Sequence, residues 1–279
     1  MQNAIEIKNL TKEYKNFKLD NINLTVPKGT IMGFIGENGA GKSTTISCIL
    51  NLVNKDSGEI EVLGTDISDF KIKEEIGVVL DEPCFPDCFK IKDVQKIMSS
   101  GYNSWNNDEF LRYIKKFSLP KDKKIKEFSK GMKMKLSIAV ALSHNSKLLI
   151  MDEATSGLDP VVRNEILDEF LDFMQDEEHS ILISSHILSD LEKICDYITF
   201  IHKGKIVFSE NKDELLEKYA VLKCSKEDFK NIDSEAVIGS KIHEFGVEAL
   251  VEKDRVTNDL ILDKATTEDI MLYFVKEKK

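Results

Sequence analysis

Residues 36–44 constrain this chain more than any other segment, because three glycines, a lysine and two hydroxyl side chains occupy six of the nine positions. The preceding residues, 30–35, form a short and mostly apolar run typical of a buried strand. The following residues, 45–52, carry apolar side chains at helical spacing. A glycine-rich loop between a strand and a helix start allows backbone amides to contact an anion. The sequence therefore predicts a strand, an anion-binding loop and a helix in succession.

Each residue type in this loop has a chemical reason. The pattern is Gly-x4-Gly-Lys-Ser/Thr, and its glycines let successive N–H groups turn inward onto phosphate oxygens. The helix N-terminus adds partial positive charge, Lys42 adds a full cation, and the Ser43 hydroxyl is a ligand for Mg²⁺. We therefore expect a nucleoside triphosphate with Mg²⁺. The predicted contacts are Gly36, Glu37, Asn38, Gly39, Ala40, Gly41, Lys42, Ser43 and Thr44.

A second apolar run, residues 148–152, ends abruptly in acid. Asp152 is expected where this strand ends beside the glycine loop, and there it would hold the magnesium through a water. Glu153 would polarise the attacking water, because enzymes of phosphoryl transfer mainly position groups and neutralise charge. The alternative is a strand that simply ends in two solvated acids. The glycine loop favours the catalytic interpretation.

The remaining pattern alternates short apolar strands with helices, which predicts an α/β fold with a mostly parallel sheet covered on both faces. A hairpin is expected at Lys203-Gly204, and residues 219–279 are expected to form a small α+β extension. The first residues are too charged for a secretory signal, and no apolar run is long enough to span a membrane, so a cytosolic chain is expected. The net charge of −10 disfavours a nucleic-acid partner. Five scattered cysteines are expected to be reduced, although Cys84 and Cys88 are close together.

Three further motifs identify a resemblance. Ser129-Lys130-Gly131-Met132, Ser156-Gly157-Leu158-Asp159-Pro160 and Ser185-His186 follow the loop in the order and spacing of ATP-binding cassette (ABC) ATPases. The resemblance covers about residues 4–215. It implies a P-loop NTPase fold over residues 1–218, with an antiparallel β subdomain and a helical subdomain at about residues 82–145.

The first of these motifs resembles the ABC signature, which in the family contacts the γ-phosphate of a nucleotide held by the other subunit. Ser129, Lys130 and Gly131 are therefore expected to bind nucleotide. This copy has lysine where the family has its first glycine and methionine where it has glutamine. It is similar to the signature of ABC-2-type exporters.

Other positions take roles by resemblance. His186 resembles the histidine that senses the γ-phosphate, and Asp159 resembles the acid of the loop that crosses between subunits. Tyr14 resembles the aromatic residue that stacks on adenine, and the alternative for Tyr14 is packing in a core. The other histidines are expected at the surface or in loops; they are His144, His179, His202 and His243.

One position departs from the family pattern in a way that affects the metal. Where the family has a glutamine that meets the metal and the attacking water, this chain has Asp81 followed by Glu82. Aspartate still ligates Mg²⁺ but reaches less far and adds a negative charge. Asp81 is the predicted ligand and Glu82 is the alternative.

The resemblance implies an ATP-binding and ATP-hydrolysing subunit that powers export through a separate integral membrane permease. A second ATPase subunit, most simply another copy, would complete each site, and residues 82–110 would dock on the permease at the inner face of the membrane. The alternative is a soluble ABC ATPase acting on nucleic acid or ribosomes. Such proteins carry a long coiled coil or two cassettes, and this chain has neither.

Overall fold

The computed structural model describes residues 3–82, 85–256 and 260–275. Its strands are β1 (Asn3–Tyr14), β2 (Phe17–Pro27), β3 (Ile31–Ile35), β4 (Ser57–Val62), β5 (Thr65–Asp66), β6 (Ile76–Val79), β7 (Leu148–Asp152), β8 (Ser180–Ser185), β9 (Tyr197–His202), β10 (Lys205–Asn211), β11 (Tyr219–Cys224), β12 (Val237–Ile242), β13 (Val247–Glu252) and β14 (Leu262–Lys264). Its α-helices are α1 (Lys42–Ile49), α2 (Ile91–Gly101), α3 (Asn107–Lys116), α4 (Lys130–Ala141), α5 (Pro160–Phe173), α6 (Leu188–Ile194), α7 (Lys212–Lys218), α8 (Lys226–Phe229) and α9 (Thr267–Val275). Within the described ranges, no helix has the length and apolar character needed to cross a bilayer.

A six-stranded sheet in the order β10-β9-β3-β8-β7-β6 forms the centre of the molecule. All neighbouring strands in it are parallel except β10, which forms an antiparallel hairpin with β9. The strands β3, β7 and β8 are buried along their whole length. Burial on both faces explains why β3 and β7 are apolar almost throughout instead of alternating with polar residues. The predicted α/β fold with a mostly parallel sheet is confirmed.

Alternate side chains of β7 pack into different cores. Leu149 and Met151 lie on the face covered by α4, α5 and α6. Leu148 and Ile150 lie on the other face, with α1 and an antiparallel sheet in the order β2-β1-β4-β5. The glycine loop between β3 and α1 is therefore held between two packed layers.

The helices α2, α3 and α4 occupy the part of the chain where a helical subdomain was expected. Residues 102–106 separate α2 from α3. Asn106 caps α3, because its side-chain oxygen accepts the N–H groups of Asp108 and Glu109 at 3.0 and 3.1 Å. Cys84, one of the two thiols considered together in the sequence, lies outside the described residues.

The last part of the chain forms an antiparallel sheet in the order β12-β13-β11-β14, with α9 packed against it. Ile270 and Tyr273 of α9 belong to the same hydrophobic core as Phe208 and Leu215. In addition, the Thr267 N–H at the start of α9 donates to Glu192 Oε1 of α6 at 3.1 Å. The α+β character matches the expectation, whereas a domain boundary after residue 218 stays a prediction, because the core continues across it.

Candidate active site

The glycine loop adopts a conformation that side chains would prevent. Gly41 has a φ of 118°, which L-residues rarely adopt, and a Cβ there would lie 2.6 Å from Leu19 Cδ2. At Gly36 a Cβ would lie 2.4 Å from the backbone oxygen of Ile201. Gly41 also precedes α1 and gives its first amides no side-chain cap. These amides are therefore available to an anion, as the sequence predicted.

Lys42 places a buried ammonium inside the loop. Its Nζ donates to the Gly36 carbonyl at 2.8 Å and to the Glu37 carbonyl at 3.4 Å. It also lies 3.3 Å from Glu153 Oε1. The side chain of Lys42 is only 6% exposed, so this cation and carboxylate interact with little solvent screening. The positive charge of Lys42 is therefore buried inside the glycine loop.

Asp152 and Glu153, the acids at the end of β7, are held in place by contacts to β8. Strand β8 lies between β3 and β7, yet Glu153, the residue after Asp152, reaches to 3.3 Å from Lys42 Nζ of the glycine loop. The placement of Asp152 beside the loop stays a prediction. Ser184 of β8 makes the contacts to both acids. Its hydroxyl donates to Asp152 Oδ1 at 2.5 Å and accepts the Glu153 N–H at 3.0 Å. Sequence reasoning missed Ser184, and its only signal was a small polar residue at the end of a buried strand.

Glu153 has an unusual backbone conformation, and only one of its carboxylate oxygens accepts a hydrogen bond. Its φ is 52°, in the left-handed region that non-glycine residues rarely occupy. His186 Nδ1 lies 2.6 Å from Glu153 Oε2, which brings these two predicted catalytic residues together. The other oxygen, Oε1, is buried and faces Lys42 Nζ at 3.3 Å, and it accepts no hydrogen bond within the described part of the chain. A buried acceptor of this kind suits an attacking water.

These side chains border a cavity of about 560 Å³ that suits a nucleotide. Its lining residues are Asn16, Phe17, Glu37, Asn38, Gly39, Gly41, Lys42, Ser43, Thr44, Asp81 and Glu153. The described residues contain no group of three or more His, Cys, Asp or Glu side chains that could hold a metal alone. Magnesium in nucleotide sites takes only one or two protein ligands beside phosphate oxygens and water. Ser43 and Asp81 line the cavity and Asp152 is not among its described lining residues, so the predicted magnesium ligands Ser43, Asp152 and Asp81 stay a prediction.

The signature residues border a different cavity of about 350 Å³. Ser129 caps α4 by accepting the Met132 N–H at 3.2 Å, and Asp159 caps α5 by accepting two N–H groups at 3.0 and 3.1 Å. Both lie in this second cavity with Lys130 and Gly131. The predicted nucleotide contacts therefore form two separate groups within one chain.

Tyr14 lies at the end of β1 and is 45% exposed, with Lys12 Nζ 5.4 Å from its ring centroid. This exposure argues against the alternative of packing in a core. Phe17, which the sequence analysis did not select, lines the nucleotide cavity, whereas Tyr14 is not among the described lining residues. Stacking of Tyr14 on adenine stays a prediction.

His144 lies in a loop, as expected, but it is buried, with only 5% of it exposed. Its ring stacks on Tyr102 with centroids 4.1 Å apart, and Nδ1 is 3.0 Å from the Glu74 carbonyl oxygen. Burial lowers the pKa of His144 below its ordinary value. No local pattern indicates this burial, because the stacking partner Tyr102 is distant in the chain.

Comparisons with known proteins agree with this site. A family model described as ABC transporter matches residues 19–156. The lantibiotic transport ATP-binding protein SrtF of Streptococcus pyogenes is 39% identical over 220 residues, covering 76% of this chain and 95% of that protein. The bacitracin transport ATP-binding protein BcrA of Bacillus licheniformis is 37% identical over 214 residues, covering 74% of this chain and 69% of that protein.

A solved structure described as the ATP binding subunit of an ABC transporter superposes with a TM-score of 0.68 at 26% identity. The superposed part covers 76% of this chain and 91% of the solved chain. The fold, the glycine loop, the acid pair and these relatives lead to one conclusion. The chain belongs to the ABC transporter family, as an ATP-binding subunit that hydrolyses ATP.

Proposed function

We propose that this chain drives export through a separate membrane permease, and that two copies close head to tail around two ATP molecules. The observation that carries the proposal is the separation of the two cavities. The glycine loop with Lys42 offers half of the phosphate contacts, and the signature with Ser129 offers the other half, in a cavity of its own. A second copy, turned by half a rotation, brings the missing half to each site.

The described residues have the parts needed for hydrolysis. The loop amides and Lys42 hold the phosphates. Ser43 and Asp152 would hold Mg²⁺, which would neutralise part of the phosphate charge. Glu153 Oε1 accepts a hydrogen bond from the attacking water and orients it. His186 Nδ1 holds the other oxygen of the same carboxylate, so the acceptor cannot rotate away.

The transport role is supported by the relatives, whose names describe transport of a lantibiotic and of bacitracin. The signature at Ser129-Lys130-Gly131-Met132 is similar to that of ABC-2-type exporters, so export is the direction we propose. The permease would be an integral membrane protein, with this chain bound peripherally at the cytoplasmic face. Residues 82–110 are the proposed docking segment.

Substitution of Glu153 by glutamine tests the proposal. Glutamine keeps the size of the side chain but is a poorer acceptor for the water. We expect ATP turnover to fall by about 10²–10⁴-fold. We also expect ATP, and not ADP, to produce a stable dimer in size-exclusion chromatography with light scattering. Turnover at the wild-type rate would remove Glu153 from this role, and a chain that stays monomeric with ATP would contradict the head-to-tail pair.

The rival function, a soluble ATPase acting on nucleic acid or ribosomes, makes the opposite prediction for location. Under the transport proposal the chain enters the membrane fraction only when the permease is co-expressed. Retention on nucleic acid at physiological salt, without recruitment to membranes, would favour the rival function. The net charge of −10 opposes such retention.

A further inference from the structure

Asp81 and Lys130 replace the glutamine and the glycine of the family pattern, and in this structure they contact each other. Lys130 Nζ lies 3.0 Å from Asp81 Oδ1. The lysine side chain also passes over Gly157, where an added Cβ would lie 3.4 Å from the same nitrogen. Lys130, at the start of α4, therefore pairs with the segment after β6 and lies close to the loop before α5.

The two partners belong to different cavities. Asp81 lines the cavity of the glycine loop, next to Ser43 and Glu153 in the lining. Lys130 lines the signature cavity with Ser129 and Gly131. The ion pair is thus a direct link between the place for the chain's own nucleotide and the surface proposed to meet the nucleotide of a second copy.

This link is easily exchanged. Both side chains are 46% exposed, and ion pairs with that exposure are weak because water screens them. A terminal phosphate carries more negative charge than one carboxylate and attracts an ammonium more strongly at the same distance. Asp81 therefore loses Lys130 when a terminal phosphate enters the signature cavity.

We infer that Lys130 is an exchange group, paired with Asp81 in the separate subunit and with the terminal phosphate of the partner's ATP in the closed dimer. The inference rests on the proposed function, because it needs the head-to-tail pair. Asp81 is then a positioning residue that holds Lys130 back from the interface. After hydrolysis the terminal phosphate leaves, Asp81 recaptures Lys130, and the pair favours reopening.

The test is a double-mutant cycle measured by ATP-dependent dimerisation in the hydrolysis-deficient E153Q protein. Sedimentation velocity at saturating ATP and Mg²⁺ gives the dimer dissociation constant. We expect K130Q to weaken the dimer by about tenfold or more, because a charge-assisted contact to phosphate is lost. We expect D81N to tighten the dimer by about two- to fivefold, because the competing surface pair is gone.

The variant that carries both D81N and K130Q distinguishes the exchange of Lys130 from a simple effect of removing the Asp81 charge. If Asp81 acts through Lys130, D81N has no effect once K130Q is present. Tightening by D81N that persists in the K130Q background would mean that Asp81 repels its own nucleotide, and would overturn the exchange. Weakening by D81N would overturn it as well, since Asp81 would then support the closed dimer.

Lys133 provides the matched control, because it lies on the same helix and pairs with Asp87 at 3.7 Å. K133Q removes one charge from α4, and we expect the dimer dissociation constant to stay within about twofold of that of the parent.

The parent E153Q protein distinguishes failure of the proposed function from failure of the exchange alone. If it fails to dimerise with ATP, the proposed function and the exchange are both overturned. If it dimerises and K130Q behaves like the parent, only the exchange is overturned.

Discussion

Single side chains orient the acids at the end of β7. Ser184 holds Asp152 through its hydroxyl proton and holds the Glu153 backbone through its lone pairs. A second residue, His186, holds the Glu153 side chain. The motif residues therefore depend on a serine that belongs to none of the motifs.

Replacing Ser184 by alanine leaves one oxygen of Asp152 and the amide of Glu153 without their partner. We expect turnover of ATP to fall by about 10–100-fold, as it does when partners of metal-site carboxylates are removed. Affinity for ATP should change little, because the glycine loop and Lys42 are untouched. Steady-state kinetics and calorimetry of nucleotide binding measure the two effects separately.

Ser180 on the same strand is the control. It is fully buried, and its hydroxyl accepts the Gly29 N–H at 3.0 Å, away from the acids. Replacement of Ser180 by alanine should cost about 1–3 kcal/mol of unfolding free energy without lowering turnover in the folded protein. Equal loss of turnover in both variants would show that Ser184 acts only on stability.

His144 makes stability depend on pH. Burial lowers its pKa in the folded chain below the ordinary value of 6.5, so only the unfolded chain takes up the proton as pH falls through that value. The unfolding free energy should therefore decrease below about pH 6.5, by up to about 1.4 kcal/mol per pH unit. Replacement of His144 by asparagine removes the titrating group. Urea unfolding at about pH 7.5 and about pH 5.5 should show a smaller loss in the variant than in the wild type.

Among the secondary-structure elements, those with local signals were the easiest to predict. The Ser129 cap, the Asn106 cap and Pro160 at the start of α5 are all read from a few neighbouring residues. The start of α9 has a local signal too, because the Thr266 hydroxyl accepts the Asp269 N–H at 3.1 Å and the Asp269 carboxylate accepts the Thr266 N–H at 3.0 Å. The packing of α9 on α6 was not predictable in this way, because the Thr267 N–H donates to Glu192, which is 75 residues earlier in the chain.

Replacement of Glu192 by alanine tests this contact between helices. The Thr267 N–H loses its acceptor, and α9 loses a carboxylate at its positive end. We expect faster amide hydrogen exchange in α9, because the free energy of opening this helix falls by about 0.5–2 kcal/mol. Glutamine at the same position keeps an acceptor and should retain most of the protection. Unchanged exchange in the alanine variant would mean that apolar packing alone holds α9.

The molecule as a whole is joined by a core that extends from the ATP-binding part into the last helix. Ile270 is fully buried and lies in the cluster that also contains Phe208, Leu215 and Tyr219. The last sheet also has a small cluster of its own, which includes Leu222 and Val251, but α9 and the other face of that sheet share the main core. This shared packing predicts that both parts unfold together.

Replacement of Ile270 by alanine should lower the unfolding free energy by about 2–5 kcal/mol, because a buried side chain is truncated. Scanning calorimetry should show one transition that moves to lower temperature, and added ATP should raise the same transition. Two transitions, of which ATP moves one and the substitution moves the other, would contradict a shared core. That result would support independent domains with a boundary after residue 218.

Local sequence patterns were enough for the phosphate loop, the acid-ended strand and the parallel sheet. Backbone conformation, periodicity and caps depend on residues that are neighbours in the chain, so they can be read without knowing the fold. The order of the strands decided the rest. It inserted β8 between β3 and β7, placed Ser184 under the acids, and brought Asp81 to Lys130, 49 positions later. Such contacts arise only when distant segments pack against a common sheet.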